Sequence, residues 1–341
     1  MKLIPLLFGA DPIPLDQFDQ VQGPAKDLIL WAVPAMILFT IIEIVVSYYQ
    51  NKNYYEKYET IGSIGVGLGN LVVAAALKTV LLVGVVTIYN WVPWRMELQW
   101  WTLIPCYFIY DLCSYWAHRI SHEQRFWWAT HVAHHSGEYY NLAVSFRLSW
   151  VQHLKIIFFL PVAFIGFHPV VFFITYQTAV LFQFWVHTEY IRKLPKFIEY
   201  IFATPSNHRV HHGSQPQYID KNYGATFIIF DRWFGTYEPE VEPVIYGITT
   251  NIKHKANPFY INFHEYNDMW QDVKKAKTFK DKFFFVFGSP ARIMMMKKAA
   301  QEAGEWNGEV RDVIVPAPEL DHHGHTHAHT APAKEENEVI K

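Results

Sequence analysis

The chain has 341 residues, 51% of them hydrophobic, 17% aromatic and 18% charged, with a formal net charge of −2 and a mean hydropathy of +0.02. Its length suits one compact domain with appendages, its near-zero charge excludes nucleic acid as a partner, and so few charges among so many apolar residues exclude an ordinary soluble enzyme. Two cysteines, Cys106 and Cys113, lie seven apart on one helical face, which excludes a disulfide framework and makes packing their role.

Residues 28–49, "LILWAVPAMILFTIIEIVVSYY", come close to the roughly 20 residues that cross a bilayer core, interrupted only by Glu43. Residues 61–93, rich in Gly and Val with Lys78 as the only charge before Pro93, and residues 98–117, "LQWWTLIPCYFIYDLCSYWA", are each long enough to span as well. Residues 155–186 are too long for one helix and short for two. Gly166 and Pro169 mark a break near their middle, so a helical hairpin that dips into the membrane and returns is expected. The predicted fold is therefore all-α: a polytopic membrane helical protein with about three spanning helices plus a re-entrant hairpin, and a cytoplasmic helical cap.

Lys52, Lys57, Arg119, Arg125 and the Lys-rich region from 192 onward flank these spans on one side, whereas the loop between the second and third has only Arg95. Because Lys and Arg are retained on the cytoplasmic side, the multi-pass chain is expected to start outside and to expose the segment after 117 to the cytoplasm. The opening "MKLIPLLFGADPIP" is too short and proline-broken for a signal peptide. Farther along, "FIEYIFATPS" and "YGATFIIFDRWFGTY" alternate apolar clusters with turns, and an amphipathic helix is expected to open at Asn257 with Pro258 in its first turn. "KDKFFFVFGSP" either lies on the membrane surface or caps the core. The last segment, 318–341, is low in complexity and holds five histidines, the composition of a disordered tail.

The chemistry sits in "HRISHEQRFWWATHVAHHSGE", residues 118–138, and in "NHRVHHG". His118 and His122 are four apart, one helical turn, on one face. His131, His134 and His135 follow at i, i+3 and i+4, and His208, His211 and His212 repeat that spacing. Crowded imidazoles compete for desolvated space and repel when protonated, and a metal removes both problems. His187, in "FWVHTEY" where the hairpin emerges, joins them as a ligand, whereas His153, His168, His254 and His264 read as isolated packing or surface groups. So many nitrogen donors exceed what one ion can use, which implies two. Neutral imidazole without cysteine suits a redox ion with an open position, iron above others, rather than structural zinc. Asp111, two turns before His118 inside an apolar run, is expected to orient a ligand imidazole. Glu123 and Glu138, beside the ligands, are expected to hydrogen-bond them or relay protons.

"HRISH", "HVAHH" and "HRVHH" resemble, in order and separation, the three histidine boxes of the fatty acid hydroxylase and sterol desaturase superfamily of membrane di-iron oxygenases. The resemblance covers roughly residues 100–250. It implies ligand roles for the eight box histidines and His187, an important acid at Glu123, two Fe ions with O2 as co-substrate, and a membrane lipid as substrate. Some members carry a further histidine four positions after the isolated one; Ile191 stands there in this chain. "FWVHTE", "TPSNHRVHHG" and "DKNYGATFIIFDRWFGTYEPE" are most similar to members that hydroxylate a carbon next to an ether oxygen and so cleave alkylglycerol ethers. The same scaffold also hosts sterol, fatty-acid and carotenoid hydroxylation or desaturation. The implied organisation is 1–99 membrane spans, 100–250 oxygenase domain with the di-metal site in its cap, 251–317 cytoplasmic extension and 318–341 tail. No iron–sulfur, dinucleotide or fused haem pattern is legible, so an external electron donor is expected, and the resemblance allows a pterin, a cytochrome b5-like protein or a ferredoxin. A metal-binding transporter or sensor is the rival from another class, suggested by the histidine-rich tail.

Overall fold

The computed structural model describes residues 9–14, 21 and 27–302, the last three by backbone alone. The histidine-rich tail, with the end of the extension and most of the opening segment, lies outside the described residues. The described segments are helical, and two backbone stretches meet in one isolated antiparallel bridge, Phe202 with Phe227.

Helix α1, Leu28–Tyr49, has an inverted burial pattern. Its buried residues are Thr40, Glu43 and Ser47, while Trp31, Leu38, Phe39 and Ile41 are exposed. In water each such apolar side chain would forgo roughly 1.5–3 kcal/mol of burial, and a water-facing helix turns its polar stripe outward instead. A lipid surround accounts for the inversion, and α1 at 22 residues reaches about 33 Å at 1.5 Å per residue. The buried Glu43 is satisfied from three segments: Tyr55 and Thr188 hydroxyls donate to it, as does the Leu142 amide at 2.8 Å.

Helix α2, Lys57–Trp91, is long and apolar enough to cross a membrane, as α1 is. Its N-terminal half packs against later segments of the chain. Gly62 and Gly69 there let other elements approach closely, since a Cβ would meet the Lys255 carbonyl oxygen at 2.1 Å and the Trp150 ring at 2.3 Å. The stretch expected as a third span is helical from Leu103, after a 3-10 turn at Trp100–Thr102, and α3, Leu103–Glu123, runs without a break into the first histidine pair. With Asp111, Arg119 and Glu123 along it, α3 is less apolar than α1 and α2, so two helices among the described residues meet the length and hydropathy of a span.

Short helices α4, Arg125–Ala129, and α5, Val132–His135, follow. The expected hairpin is a 3-10 stretch, Gln152–Phe159, leading into α6, Leu160–Phe164, and then α7, Pro169–Phe182. The break falls where the sequence placed it. Gly166 takes φ +88° against the Trp94 carbonyl, which a Cβ would meet at 2.3 Å, and His168 caps α7 by accepting the Val170 N–H at 3.2 Å. Val162, Phe167, Val171 and Phe172 of this hairpin pack on Cys106 and Tyr110 of α3, and both cysteines are free thiols.

The chain continues through α8, Lys196–Ile201, α9, Pro205–His211, and α10, Ile229–Phe234. The amphipathic helix α11, Pro258–Lys275, opens as expected, with the Asn257 side chain accepting the Phe259 and Tyr260 amides at 3.0 and 3.1 Å. Helix α12, Phe279–Phe287, puts Phe285 into a small core, as one of the two expectations for the Phe-rich run had it, and leaves Phe279 and Phe283 exposed. Arg125 ties α4 to this layer through Glu265 and Asp272, each at 2.7 Å. The last described helix is α13, Pro290–Glu302.

Candidate metal centre

Three short runs and one turn deliver the imidazoles. The last two turns of α3 carry His118 and His122. His131 sits at the N-cap of α5, and His134 and His135 lie within it. Helix α9 starts with Pro205, which lacks the N–H a first-turn position would leave unpaired, and the Thr204 hydroxyl accepts the Asn207 amide at 3.3 Å. That start sets the register of His208 and His211, with His212 at the C-cap. His187 lies in the turn after α7.

All nine candidate ligands converge, in two groups. His118, His122, His131, His135 and His211 form one, and His134, His187, His208 and His212 the other, with the ligand atoms of each group within 4.8 Å of one another. Each i,i+4 pair stays within one group: 118/122 and 131/135 in the first, 208/212 in the second. The middle histidine of each His-x-x-His-His box, His134 or His211, crosses to the other group. The Nε2 atoms of His131 and His135 are 3.2 Å apart, those of His134 and His187 3.1 Å, and those of His187 and His208 3.0 Å. Metal–nitrogen bonds of roughly 2.1 Å put neighbouring donors about 3.0 Å apart in an octahedron and about 3.4 Å apart in a tetrahedron, so these donor sets fit a bound transition ion.

The ring orientations fit as well. The Nδ1 atoms of His118, His187 and His211 face the carbonyls of Tyr223 at 2.7 Å, Gln183 at 2.7 Å and Lys221 at 3.0 Å. A carbonyl only accepts, so Nδ1 carries the hydrogen and Nε2 keeps its lone pair for a ligand bond. The buried Nε2 atoms of His118 and His122 have no hydrogen-bond partner among the described residues, the signature of metal-binding nitrogens rather than of a satisfied core. Burial above all, reinforced by neighbouring positive groups, pushes His131, His134, His135, His208, His211 and His212 well below the usual histidine range. Neutral imidazole is the form that binds a metal.

The three singled-out acids do not touch these rings through the hydrogen bonds expected of them. Asp111 is fully buried, but its carboxylate accepts the backbone amides of Thr226 at 3.0 Å and Phe227 at 2.8 Å. It therefore anchors the 223–227 segment, whose Tyr223 carbonyl receives His118, and acts on the ligand through backbone. Glu123 pairs with Arg119 at 2.8 Å with its side chain 48% exposed. Glu138 pairs with Lys255 at 2.6 Å. His153, His168, His254 and His264 stay outside both groups.

Other charges brace the centre, and spacing alone did not point to them. Asp231 accepts the Tyr223 and Gly224 amides at 2.7 Å each, holding the carbonyl that orients His118. Asp220, at φ +60°, a conformation Asp tolerates better than most residues, places its carboxylate 3.5 Å from His122 Nδ1. Arg147 is fully buried; it donates to the Ala133 carbonyl at 3.0 Å and the Ser136 hydroxyl at 2.6 Å, gripping α5, and burial pulls it down to about 10. Arg209, inside the third box, makes a bidentate pair with Glu240 at 2.8 Å and donates to the Thr188 and Ile191 carbonyls, tying α9 to the turn that carries His187. An ionisable residue within a box or an apolar run, as in "HRVHH" and "FIIFDRWF", was the available signal.

Residues 103–236 match the family model described as fatty acid hydroxylase. The chain is 36% identical over 277 residues to alkylglycerol monooxygenase of Homo sapiens, covering 80% of this chain and 61% of the relative. It is 41% identical over 208 residues to alkylglycerol monooxygenase of Xenopus tropicalis, covering 60% and 46%. It is 26% identical over 206 residues to ornithine lipid hydroxylase OlsE of Rhizobium tropici, covering 54% and 59%. The chain spans about half the length of the curated relatives it matches. No solved structure matches it significantly.

Proposed function

With residues 103–236 forming a fatty acid hydroxylase domain, we propose that this protein is a membrane-embedded, O2-dependent di-iron monooxygenase that hydroxylates a lipid C–H bond, its substrate an alkylglycerol ether attacked at the carbon next to the ether oxygen. The observation that carries this reading is the convergence of nine histidines, seven of them buried and His118 and His131 half-buried, into two donor groups without a carboxylate among them, at the end of a helix packed among lipid-facing ones. Bound iron would supply the reduction of O2 and the abstraction of hydrogen from an unactivated carbon.

The chain's own residues hold and aim. His118, His122, His131, His135 and His211 would hold one ion, and His134, His187, His208 and His212 the other. Tyr223, Gln183 and Lys221 fix ring tautomers through their carbonyls, and Asp111 and Asp231 fix the Tyr223 segment. The exposed apolar faces of α1 and α2 and the broken hairpin pass a lipid tail to the centre from the cytoplasmic leaflet. Glu123, next to His122 and open to solvent, exchanges protons at the mouth, while Glu138 and Lys255 brace the second box. A product hydroxylated beside the ether oxygen is a hemiacetal, which collapses to an aldehyde and an alcohol without further help. The electron donor is external, a reduced pterin, a cytochrome b5-like protein or a ferredoxin.

Purified protein in detergent is expected to hold two irons per chain and to convert an alkylglycerol to fatty aldehyde and glycerol only with O2 and a reductant present. One zinc, or no metal, sinks the reading. Unchanged ether lipids with altered sterols or fatty acids in cells lacking the gene would move the substrate elsewhere on the same scaffold.

A further inference from the structure

The face that α8 and α10 turn outward is apolar where a water-facing helix would be polar. Phe197, Tyr200 and Ile201 lie at i, i+3 and i+4 on α8 and are all exposed, as are Trp233 and Phe234 on α10. These side chains continue the exposed apolar side of α3, since Trp233 meets Phe108 at 6.2 Å and Phe234 meets Trp116 at 5.0 Å between ring centroids. Single exposed apolar groups are ordinary, but a contiguous aromatic patch of this kind marks a surface that rests on a membrane.

Beside the patch is a cavity of about 300 Å³, with Tyr200 common to both, and three cations line it: Lys193, Lys196 and Arg232. None of the three is paired with a carboxylate among the described residues. Lys193 donates to the Glu240 backbone carbonyl at 2.6 Å, and Lys196 has no polar partner there. Arg232 is held without being neutralised. Its guanidinium lies over the Tyr200 and Tyr237 rings at 4.4 and 3.6 Å, and its Nε and Nη2 donate to the Tyr200 and Glu199 carbonyls at 3.1 and 3.2 Å. The two carboxylates in the wall are engaged elsewhere: Glu240 in its bidentate pair with Arg209, and Glu199 in accepting the Leu194 amide at 2.8 Å and the Thr204 hydroxyl at 2.9 Å. An oriented guanidinium and two ammonium groups around a small cavity form a donor set for phosphate.

We propose that this cavity binds the phosphate headgroup of an anionic membrane lipid, whose acyl chains lie along the aromatic patch of α8 and α10. The patch supplies the apolar contact and the three cations supply the charge that such a lipid needs, and neither is met within the chain. Basic groups at a membrane surface attract anionic lipids in this way. Ser206 and Asn207, in the first turn of α9, belong to the same cavity wall, so an occupied cavity braces the helix that carries His208 and His211. The inference requires a membrane beside this face and is independent of which metal the histidines hold.

The test titrates the whole chain in neutral detergent with dihexanoyl phosphatidylglycerol, dihexanoyl phosphatidylcholine or inorganic phosphate. Bound molecules are counted by native mass spectrometry, and the thermal midpoint is followed in parallel. One phosphatidylglycerol per chain is expected to bind at least tenfold more tightly than phosphatidylcholine and to raise the midpoint. K193Q/K196Q should weaken that binding about tenfold and R232Q at least as much, whereas K274Q/K275Q on α11 should leave it unchanged. Equal binding of the two lipids, or undiminished binding in K193Q/K196Q, overturns the site; both lysines are exposed, so this variant decides even where R232Q fails to fold. Inorganic phosphate that binds as tightly as phosphatidylglycerol overturns the lipid assignment.

Discussion

The two histidine groups are built differently. Four of the five members of the first, His118, His122, His131 and His135, come from eighteen consecutive residues, and only His211 arrives from afar. The second has four members from three separate places: His134 from the second box, His187 from the turn after α7, and His208 with His212 from α9. The first is mostly local geometry and carries a spare donor; the second exists only when distant segments are in register. Its supports are correspondingly long-range, with Arg209 binding Glu240 and the 188–191 turn together.

Removing one ligand from each group is the most forceful way to break this comparison. H187A leaves three donors in the second group, none of them from the 187 turn, and is expected to lower iron from two per chain to one and to abolish turnover. H122A leaves four donors in the first group. Turnover should vanish there too, but metal analysis should recover more than one iron per chain. Equal iron loss in the two variants would show that the fifth donor confers no extra hold.

The next effect separates ligands from the groups that aim them. D231A removes the acceptor of the Tyr223 and Gly224 amides and so frees the carbonyl that orients His118. Supports of this kind typically contribute about 10–100-fold in metal affinity, and the loss should be confined to the first group. R209K, which cannot reproduce the bidentate pair with Glu240, should weaken the second group instead. Competition with a chromophoric chelator, read as two separate binding steps, checks both.

This division also governs what could be read before any coordinates. The i,i+4 pairs were legible because helical periodicity dictates which residues share a face, and so were the hairpin break at Gly166 and the start of α11 at Asn257. The crossing of His134 and His211 between groups was not, since it depends on how α5 and α9 meet. Nor were Asp231, Arg147 and Arg209 assigned, because their partners lie at backbone positions that only the fold brings together. Asp111 stands out in the sequence as an acid in an apolar run, and its partners are the amides at 226 and 227 rather than an imidazole. The third span was read by length, whereas the helix starts later and carries the first ligands at its end.

A smaller effect concerns what the groups share. The buried imidazoles at 131, 134, 135, 208, 211 and 212 resist protonation in the folded protein, whereas in the unfolded chain they take up protons near pH 6.5. Below that pH the unfolded state binds more protons, so stability rises with pH and falls as pH drops from about 6.5 toward the folded values. The metal-free protein in detergent should therefore show a falling thermal midpoint between pH 7 and pH 5. Replacing both His208 and His212 with Gln should flatten that fall. A midpoint that is level over this range would contradict neutral, buried histidines in the metal-free fold.

The smallest structural effect is expected at Glu123, and it sharpens the comparison because this acid borders the first group without belonging to it. Its only charged partner among the described contacts is Arg119, one turn away, and its side chain is 48% exposed. An exposed i,i+4 pair contributes about 0.3–0.5 kcal/mol, so E123Q should leave the fold and both irons in place. If Glu123 exchanges protons at the mouth, the same variant loses turnover with its metal content unchanged, and E123D restores part of it. Histidine variants lose metal and turnover together, so the split between the two readouts distinguishes a proton-handling acid from a ligand. E123Q with wild-type turnover would reduce Glu123 to a surface ion pair and shift attention to Asp220, whose carboxylate lies 3.5 Å from His122 Nδ1.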